Sequence, residues 1–138
     1  MTVFANSEEL VRVMNALWGR IKADPEMSAR LVESKLCVQF RYRNPEGVFT
    51  IDCTDGKQML IYDTANGFKP TIEMSMKADV AHEFWMGRIS VPVALLTGKI
   101  VSRGPTAQAL KLLPAIKPAF ALYPEVLKEA GKETLLSK

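Results

Sequence analysis

The chain has 138 residues, of which 48% are hydrophobic and 24% are charged, and its 18 basic and 15 acidic residues give a net charge of +3 at pH 7. This composition is typical of soluble globular proteins and excludes a collagen-like fibre, a disulfide-rich miniprotein and wholesale disorder. A chain of this length buries roughly 68% of its unfolded surface on folding, so we expect one domain with one core over residues 1–138.

Two helices are predicted at the start of the chain. The first begins after Asn6, which is the expected N-cap, and Glu9 completes a capping-box-like pair with it. A second, short helix begins at Asp24 and Pro25, an N-cap followed by proline at the first helical position, and runs through about Val32. The first helix is amphipathic, with apolar residues at spacings of three and four: Leu10, Val13, Met14, Leu17, Trp18 and Ile21.

Four strands are predicted next, because apolar and polar residues alternate. The signals between them are a turn at residues 44–47, a tight hairpin at Asp55-Gly56 and a longer connection marked by Asn66-Gly67. Consecutive strands with such turns indicate a mainly antiparallel sheet. The third strand spans residues 57–62. The apolar face of the other three carries Leu36, Val38, Phe40 and Tyr42, then Phe49, Ile51 and Cys53, and finally Ile72, Met74 and Met76.

The C-terminal part of the chain is predicted to be mostly helical. Asp79 is the expected cap of a helix that ends before Gly87, and a further helix spans residues 91–97 and ends at Gly98. A short fifth strand is expected within residues 99–103. The fold class is therefore α+β, with helices packed against one face of the sheet.

The last segment, from Thr106, has a helical pattern that three prolines interrupt. Each proline removes a backbone donor and clashes with the preceding turn, so Pro114, Pro118 and Pro124 predict two or three kinked or broken segments. The apolar side of this tail must cover either a filled core or a cavity. Its members are Leu110, Leu113, Ile116, Phe120, Tyr123 and Leu127.

The sequence contains no motif that requires catalysis or a cofactor. His82 is the only histidine, so a multi-histidine metal site is excluded and any histidine-based triad must use this residue. The nucleophile elbow, the P-loop and the glycine-rich dinucleotide fingerprint are all missing. We therefore expect no catalytic residues, no metal and no cofactor. Because the basic residues are dispersed, we also expect no nucleic-acid partner, whereas a transient contact with an anionic membrane surface stays open.

The two cysteines, Cys37 and Cys53, are predicted to be reduced and unpaired. If the apolar faces of the first two strands align, Cys37 opposes Thr54 and lies on the face opposite to Cys53. A register slip of one residue would pair the cysteines, but it would bury the arginines of the first strand. The expected cross-strand pairs are Tyr42 with Phe49, Phe40 with Ile51, and Val38 with Cys53.

Methionines are frequent in the predicted core. Met59, Met74, Met76 and Met86 fall in elements that are neighbours in the sequence, and methionine adapts its shape to irregular apolar sites. Two interpretations are open: these residues fill gaps in an ordinary core, or they line an adaptable apolar site.

A motif around the fifth strand carries a resemblance to a known family. The segment 86–104 reads MGRISVPVALLTGKIVSRG, and residues 98–100 (Gly-Lys-Ile) and Gly104 match the strongest part of a recurring pattern. In this motif the chain resembles the sterol carrier protein 2 family, in which the pattern follows a four-strand meander and precedes a terminal helix. The segment 109–131 is similar to the helical tail of stand-alone prokaryotic members, and the resemblance covers about residues 6–131.

The resemblance implies a five-stranded sheet covered by about five helices, which together enclose an apolar tunnel that accepts fatty acyl chains, sterols or other lipids without catalysis. Some members of the family transfer lipids, and others carry isoprenoid-quinone intermediates. Apolar residues of these elements thereby become candidate lipid-binding residues, and Phe120 in the proline-broken tail becomes a candidate roof of the tunnel. The candidates are Phe40, Ile51, Met74, Met76, Phe84, Trp85, Leu95, Leu96, Leu113, Ile116 and Phe120.

The leading hypothesis is a small cytoplasmic carrier of a hydrophobic ligand. The N-terminal residues lack the features of a signal peptide, and no apolar run approaches the ~18 residues of a membrane span. The chain ends Ser137-Lys138, where peroxisomal members have a small-Lys-Leu signal. Two alternatives remain: a protein-interaction domain whose apolar groove docks a partner helix, and an enzyme that acts on an acyl or steroid compound.

Overall fold

The computed structural model describes residues 2–64, 67 and 69–137, so Met1, the predicted turn residue Asn66 and the terminal Lys138 lie outside the described residues. The described residues form one five-stranded sheet, seven α-helices and a C-terminal 3-10 helix. The helices are α1 (Ser7–Ala23), α2 (Pro25–Glu33), α3 (Ala78–Trp85), α4 (Val91–Leu96), α5 (Thr106–Leu110), α6 (Leu113–Ile116) and α7 (Ala119–Glu129), and the 3-10 helix spans Glu133–Ser137. The strands are β1 (Cys37–Arg43), β2 (Gly47–Asp52), β3 (Leu60–Tyr62), β4 (Ile72–Lys77) and β5 (Ile100–Arg103).

The first two helices begin where the sequence predicts. The Asn6 side chain accepts a hydrogen bond from the Glu9 backbone N–H at 2.9 Å, and Glu9 in turn accepts from the Ala5 N–H at 3.3 Å. The Asp24 side chain accepts from two backbone N–H groups of α2, and Pro25 occupies the first helical position. These caps satisfy donors that have no partner within the helix, so the two starts are fixed locally.

The start of α3 differs from the prediction. Asp79 does not cap this helix, because it lies in the first turn and Lys77 occupies the N-cap position without a side-chain hydrogen bond. The Asp79 carboxylate instead accepts from the Val3 backbone N–H at 2.8 Å. This contact ties the N-terminal segment to α3 and holds the Phe4 side chain fully buried.

The strand order of the sheet is β3-β2-β1-β4-β5. Three of the four pairings are antiparallel, and β1 pairs with β4 in parallel, so the sheet is mixed although mainly antiparallel. A continuous meander of four strands is therefore wrong, because the connection from β3 to β4 passes both β2 and β1 and places β4 beside β1. Thr71 fixes this crossover, since its N–H donates to the Cys37 carbonyl at 2.8 Å and its hydroxyl accepts from the Cys37 N–H at 3.1 Å.

The register between β1 and β2 differs from the predicted one by two residues. The turn after β1 is shorter than expected, and it brings Tyr42 opposite Gly47. A side chain at Gly47 would begin 3.0 Å from the Leu10 methyl group of α1, so the close approach suits glycine. An even shift keeps every residue on its predicted face, which is why the face assignment holds while the pairs are wrong. The observed pairs are Phe40 with Phe49, Val38 with Ile51, and Cys37 with Asp52.

The predicted tight hairpin at Asp55-Gly56 is also wrong, because β3 begins only at Leu60. The Asp55 carboxylate accepts the N–H groups of Lys57 and Gln58 at 2.8 and 3.0 Å, and these bonds lower the pKa of its carboxyl group. Local side-chain bonds of this kind compete with strand pairing. Residues 53–59 therefore form a loop instead of extending the strand.

The helices cover one face of the sheet. On this covered face, the Trp18 ring of α1 packs against Phe40 with a centroid distance of 5.8 Å, and the Tyr42 hydroxyl lies 4.0 Å from the Met14 sulfur. On the opposite face, Arg41 and Arg43 are exposed, as the alternation predicts. The layered α+β arrangement agrees with the fold class inferred from the sequence.

The alternation fails in the first half of β1. Cys37 and Gln39 are buried on the face predicted to be solvated, where the Gln39 amide donates to the Thr50 hydroxyl at 3.0 Å. Val38 and Phe40, on the covered face, are only half-buried. Their incomplete burial under a layer of helices indicates open space inside the protein.

The C-terminal tail is divided as the prolines predict. Pro114 lies in the first turn of α6, and Pro118 precedes α7. Pro124 lies inside α7 without ending it. This last helix is held against α1 by Arg20, whose guanidinium contacts the carboxylates of Glu125 and Glu129 at 3.0 Å each. The division of the tail raises the number of helices above the expected five.

Candidate ligand-binding cavity

An apolar cavity lies between the covered face of the sheet and the helices. Residues of β1, β2, β4 and β5 form its floor, and residues of the helices α1 to α6 form its walls. The floor residues are Val38, Phe40, Tyr42, Ile51, Met74, Met76 and Ile100. The partial burial of Val38 and Phe40 is thereby explained, because their side chains border open space.

The cavity is small and partly open to the surface. Its volume is about 100 Å³, which corresponds to roughly seven to ten water molecules, since one water needs about 10–15 Å³ on this measure. Ligand pockets typically measure about 300–1,000 Å³. A long ligand therefore needs the walls to move apart or must extend out of the cavity.

The walls carry no ionised group among the residues that the structure describes. Burial raises the pKa of the Tyr42 phenol, so this group is neutral at physiological pH. Burial, followed by the nearby carboxylates of Asp52 and Asp55, raises the pKa of the Cys53 thiol to about 11. Ser34 is satisfied locally, because its hydroxyl donates to the Leu31 carbonyl at 2.6 Å. The cavity is thus suited to apolar or neutral ligands.

Aromatic rings form one side of the cavity. Trp18 contacts Phe40 and stands edge-on to Trp85, with a centroid distance of 5.7 Å to the latter. Trp85 in turn contacts Phe84 at 4.7 Å. The Trp18 indole nitrogen is buried and has no hydrogen-bond partner among the described residues.

Eight of the eleven candidate residues line this cavity. They come from three sheet strands, from α3 and from α6, which are far apart in the sequence and meet only in the folded chain. The eight are Phe40, Ile51, Met74, Met76, Phe84, Trp85, Leu113 and Ile116.

Three candidates do not reach the cavity wall. Leu96 is 87% exposed, and Leu95 packs against the core from α4, whose contribution to the wall is Val91. Phe120 lies behind the wall, where its ring stands edge-on to Phe84 at 5.3 Å. It supports the wall from outside, so the expectation that Phe120 roofs the cavity is corrected. The roof is formed by α5 and α6.

The sequence patterns missed more than half of the cavity wall. Many of the missed residues belong to helical stripes or strand faces that are typical of any buried element, so no spacing distinguishes them from filled core. Of the four methionines singled out in the sequence, Met74 and Met76 line the cavity, whereas Met59 and Met86 do not. The missed residues are Trp18, Leu31, Ser34, Leu36, Val38, Tyr42, Cys53, Ala81, Val91, Ile100, Ala109, Leu110 and Leu112.

His82 is buried outside the cavity. Its Nδ1 lies 2.7 Å from the Tyr123 hydroxyl, and the Phe4 ring packs edge-on against it. Burial lowers the pKa of His82, against the opposing influence of Glu83. The histidine therefore lies between α3, α7 and the N-terminal segment as a neutral group within the core.

Cys37 and Cys53 are both buried free thiols. Within residues 2–64, 67 and 69–137, no group of three or more histidine, cysteine, aspartate or glutamate side chains is arranged to hold a metal ion. None of the described helices is long and apolar enough to cross a membrane.

No protein-family model matches the chain, and no curated protein is significantly similar to it. Several solved structures are similar to the chain in fold. The sterol carrier protein domain 2 of Helicoverpa armigera has a TM-score of 0.62 and 24% identity, covering 78% of this chain and 85% of that one. Sterol carrier protein 2 from Yarrowia lipolytica has a TM-score of 0.59 and 14% identity, covering 80% and 86%. A conserved hypothetical protein from Thermus thermophilus has a TM-score of 0.53 and 14% identity, covering 91% of each chain.

Proposed function

We propose that this chain, which has the sterol carrier protein 2 fold, binds and carries a hydrophobic ligand without catalysing a reaction on it. The observation that carries the proposal is the cavity between sheet and helices, whose described walls are apolar and hold no charge. The ligand classes in question are fatty acyl, sterol-like and isoprenoid lipids. The eight candidate residues on the wall would contact the ligand.

Burial of an apolar chain supplies enough free energy for useful affinity. Each buried methylene contributes about 0.8 kcal/mol, so about ten methylenes give roughly 8 kcal/mol before the costs of association. Widening of the cavity is supported by the adaptable Met74 and Met76 on its floor. The helix α5 supports such widening as well, because none of its residues is buried.

The absence of catalysis is supported by the chemistry of the wall. Cys53 is a protonated thiol at neutral pH, and Tyr42 is a neutral phenol. The one histidine, His82, bonds to Tyr123 away from the cavity. A nucleophile therefore has no base beside it among the described wall residues.

Exchange of ligand with a membrane surface belongs to the same proposal. On the outer face of α4, Val93 is 55% exposed and Leu96 is 87% exposed, while Val91 of the same helix lines the cavity. A cytoplasmic location is supported by the free thiols of Cys37 and Cys53, because such thiols persist in reducing compartments.

The proposal is tested by extraction and by titration. Organic extraction of the purified protein followed by mass spectrometry is expected to release a co-purified lipid. Delipidated protein is expected to bind a fluorescent long-chain acyl probe saturably, with a Kd on the order of micromolar. Failure of acyl, sterol and isoprenoid probes alike to give saturable binding would refute the carrier function and favour the docking of a partner helix in the same groove.

A further inference from the structure

The most exposed apolar side chains of the protein lie together on α4 and β5. Among the described residues, three large apolar side chains are more than half exposed: Val93 at 55%, Leu96 at 87% and Val101 at 51%. Val93 and Leu96 are three residues apart on α4 and therefore share one face of that helix. The helix contacts β5, which carries Val101. Single exposed apolar residues are ordinary, whereas a group of them marks an interaction surface. We call these three residues the apolar tip.

A row of three cations lies next to the apolar tip, on the face of the sheet that the helices leave uncovered. Arg43 is paired with Lys77 across β1 and β4. The pairing of β4 with β5 ends at Met76 and Ile100. Lys77 follows and Lys99 precedes this pair, so the register brings the two lysines together. We call Arg43, Lys77 and Lys99 the cation row. All three side chains are exposed, and none of them forms an ion pair within the described part of the chain.

The stability of the fold does not explain the cation row, because like charges side by side in a sheet destabilise it. Nearby carboxylates are engaged elsewhere. Glu73 of β4 forms its ion pair with Arg41 at 3.3 Å, and Asp79 accepts from the backbone of the N-terminal segment. Glu46, in the turn after β1, is exposed and forms no ion pair with another described residue. The row therefore presents positive charge to solvent.

The charge of the surrounding segment has the same sign. Residues 84–124 contain five basic residues and no acidic residue, so the rest of the chain has a net charge of −2 although the whole has +3. This segment includes α4, β5, α5 and α6, and each of these elements contributes to the cavity. An anionic surface that approaches them meets no carboxylate from this segment.

We infer that the apolar tip and the cation row together dock the protein on an anionic phospholipid bilayer. The cation row contacts the headgroup phosphates, and the apolar tip enters the boundary between headgroups and acyl chains. The inference rests on the proposed carrier function for its purpose, since Val91 of α4 and Ile100 of β5 line the cavity behind this surface. Nucleic acid is a poorer partner, because its phosphates would attract the cation row but leave the apolar tip in water.

Binding to vesicles provides the first test. The full chain is titrated with vesicles of phosphatidylcholine alone and with vesicles that contain about one third phosphatidylglycerol, and bound protein is separated by sedimentation. The protein is expected to bind the anionic vesicles at least about tenfold more tightly, and added salt is expected to weaken this binding. Equal binding to both kinds of vesicle, or binding to neither, would overturn the inference.

Paired substitutions locate the docking surface. A basic residue near an anionic membrane contributes about 1 kcal/mol, or about fivefold in binding. Lys77→Gln together with Lys99→Gln is therefore expected to weaken binding to the anionic vesicles by about 25-fold. The matched control is Lys22→Gln together with Lys128→Gln, which removes the same charge from exposed positions on α1 and α7. This control is expected to lose less than about threefold. Equal losses in the two double variants would show that only net charge matters, and the inference would be wrong.

The apolar tip is tested at Leu96, its most exposed member. Leu96→Ser is expected to weaken binding to the anionic vesicles by about fivefold to tenfold. Unchanged binding of this variant would show that the apolar tip stays in water and would contradict docking on a bilayer. A DNA oligonucleotide is titrated in parallel. If it binds the cation row more tightly than the anionic vesicles do, the surface recognises nucleic acid and the inference fails.

Two further measurements keep the outcomes distinct. Because like charges repel, the variant with both Lys77→Gln and Lys99→Gln is expected to keep its Tm or raise it. Its uptake of the acyl probe is expected to be unchanged, since neither lysine lines the cavity. If the unaltered protein takes up the acyl probe but does not bind anionic vesicles, the docking inference fails while the carrier function stands. If it binds these vesicles as expected but takes up no lipid probe, the carrier function fails and the docking surface stands.

Discussion

Ala81 offers a test of the cavity in which filling the space has two measurable and opposite effects. This residue of α3 is 2% exposed and lines the cavity. Ala81→Leu adds three carbon atoms, which are worth about 2.4 kcal/mol if they enter empty apolar space. Loss of rotamer freedom offsets about 0.5–1 kcal/mol of this gain. The delipidated variant is therefore expected to be more stable by about 1.5 kcal/mol, which raises Tm by about 5 °C.

The same three carbons occupy room that a ligand would use. If they displace about three methylenes of the ligand, the affinity falls by about 2.4 kcal/mol, or roughly 50-fold. We expect at least a tenfold loss in a titration with the acyl probe. Stability is measured by urea unfolding of the delipidated protein, monitored by tryptophan fluorescence.

Ala78 is the matched control for Ala81. It belongs to the same helix and is fully buried, but it does not border the cavity. Ala78→Leu is expected to overpack the core and to destabilise the protein by about 1–3 kcal/mol. If Ala81→Leu destabilises the protein to the same extent and leaves the affinity unchanged, the space beside Ala81 is not an open cavity and the reasoning is refuted.

Two further predictions concern the frame around the cavity. Because burial lowers the pKa of His82, the fold favours its neutral form, so its contribution to stability is complete above pH 6.5 and is lost as the pH falls through the lowered pKa. His82→Asn is expected to flatten the decline of unfolding free energy between pH 7 and pH 5, and an unchanged decline in urea titrations would contradict this. Gly104 has a φ of 100°, and a Cβ there would overlap the Thr71 carbonyl oxygen, so Gly104→Ala is expected to cost more than about 3 kcal/mol or to prevent folding. Gly98→Ala, with a φ of 78° and open space, is expected to cost only about 1–2 kcal/mol, and equal costs at the two positions would show that the contact with Thr71 does not matter.

Gly104 also gives a physical reason for one residue of the motif that carries the resemblance. It follows β5, and its Cα approaches the backbone of Thr71 and Ile72 too closely for any side chain. The position thereby fixes how the end of β5 meets the start of β4. A sequence motif of this kind records a backbone contact that no other residue type permits.

Local signals were sufficient for the helix starts and for the breaks in the tail. Asn6 and Asp24 cap their helices through backbone donors two or three residues away, and Pro114 and Pro118 begin new segments. Each of these effects involves atoms that are close in the chain. The sequence therefore specifies them regardless of how the rest of the protein folds.

Side-chain alternation predicted the faces of the strands but not their partners. The pairing of β4 with β1 is accompanied by the bonds of Thr71 to Cys37, and the shifted register of β2 places Gly47 next to Leu10. These contacts join residues that lie far apart in the sequence. The alternation contains no information about them, because a shift of two residues preserves every face.

Only the tertiary structure determines that a cavity exists in this protein. The helical stripe that contains Trp18 has the same spacing whether it packs against filled core or borders open space, and the same is true of Ala81 on α3. Phe120 belongs to the apolar side of the tail, but its ring packs against Phe84 and does not line the cavity. Hydrophobic periodicity states which side of an element avoids water. Whether the space on that side is filled depends on how the volumes of side chains from many elements add up after they meet, and the sequence pattern of any one element does not contain that sum.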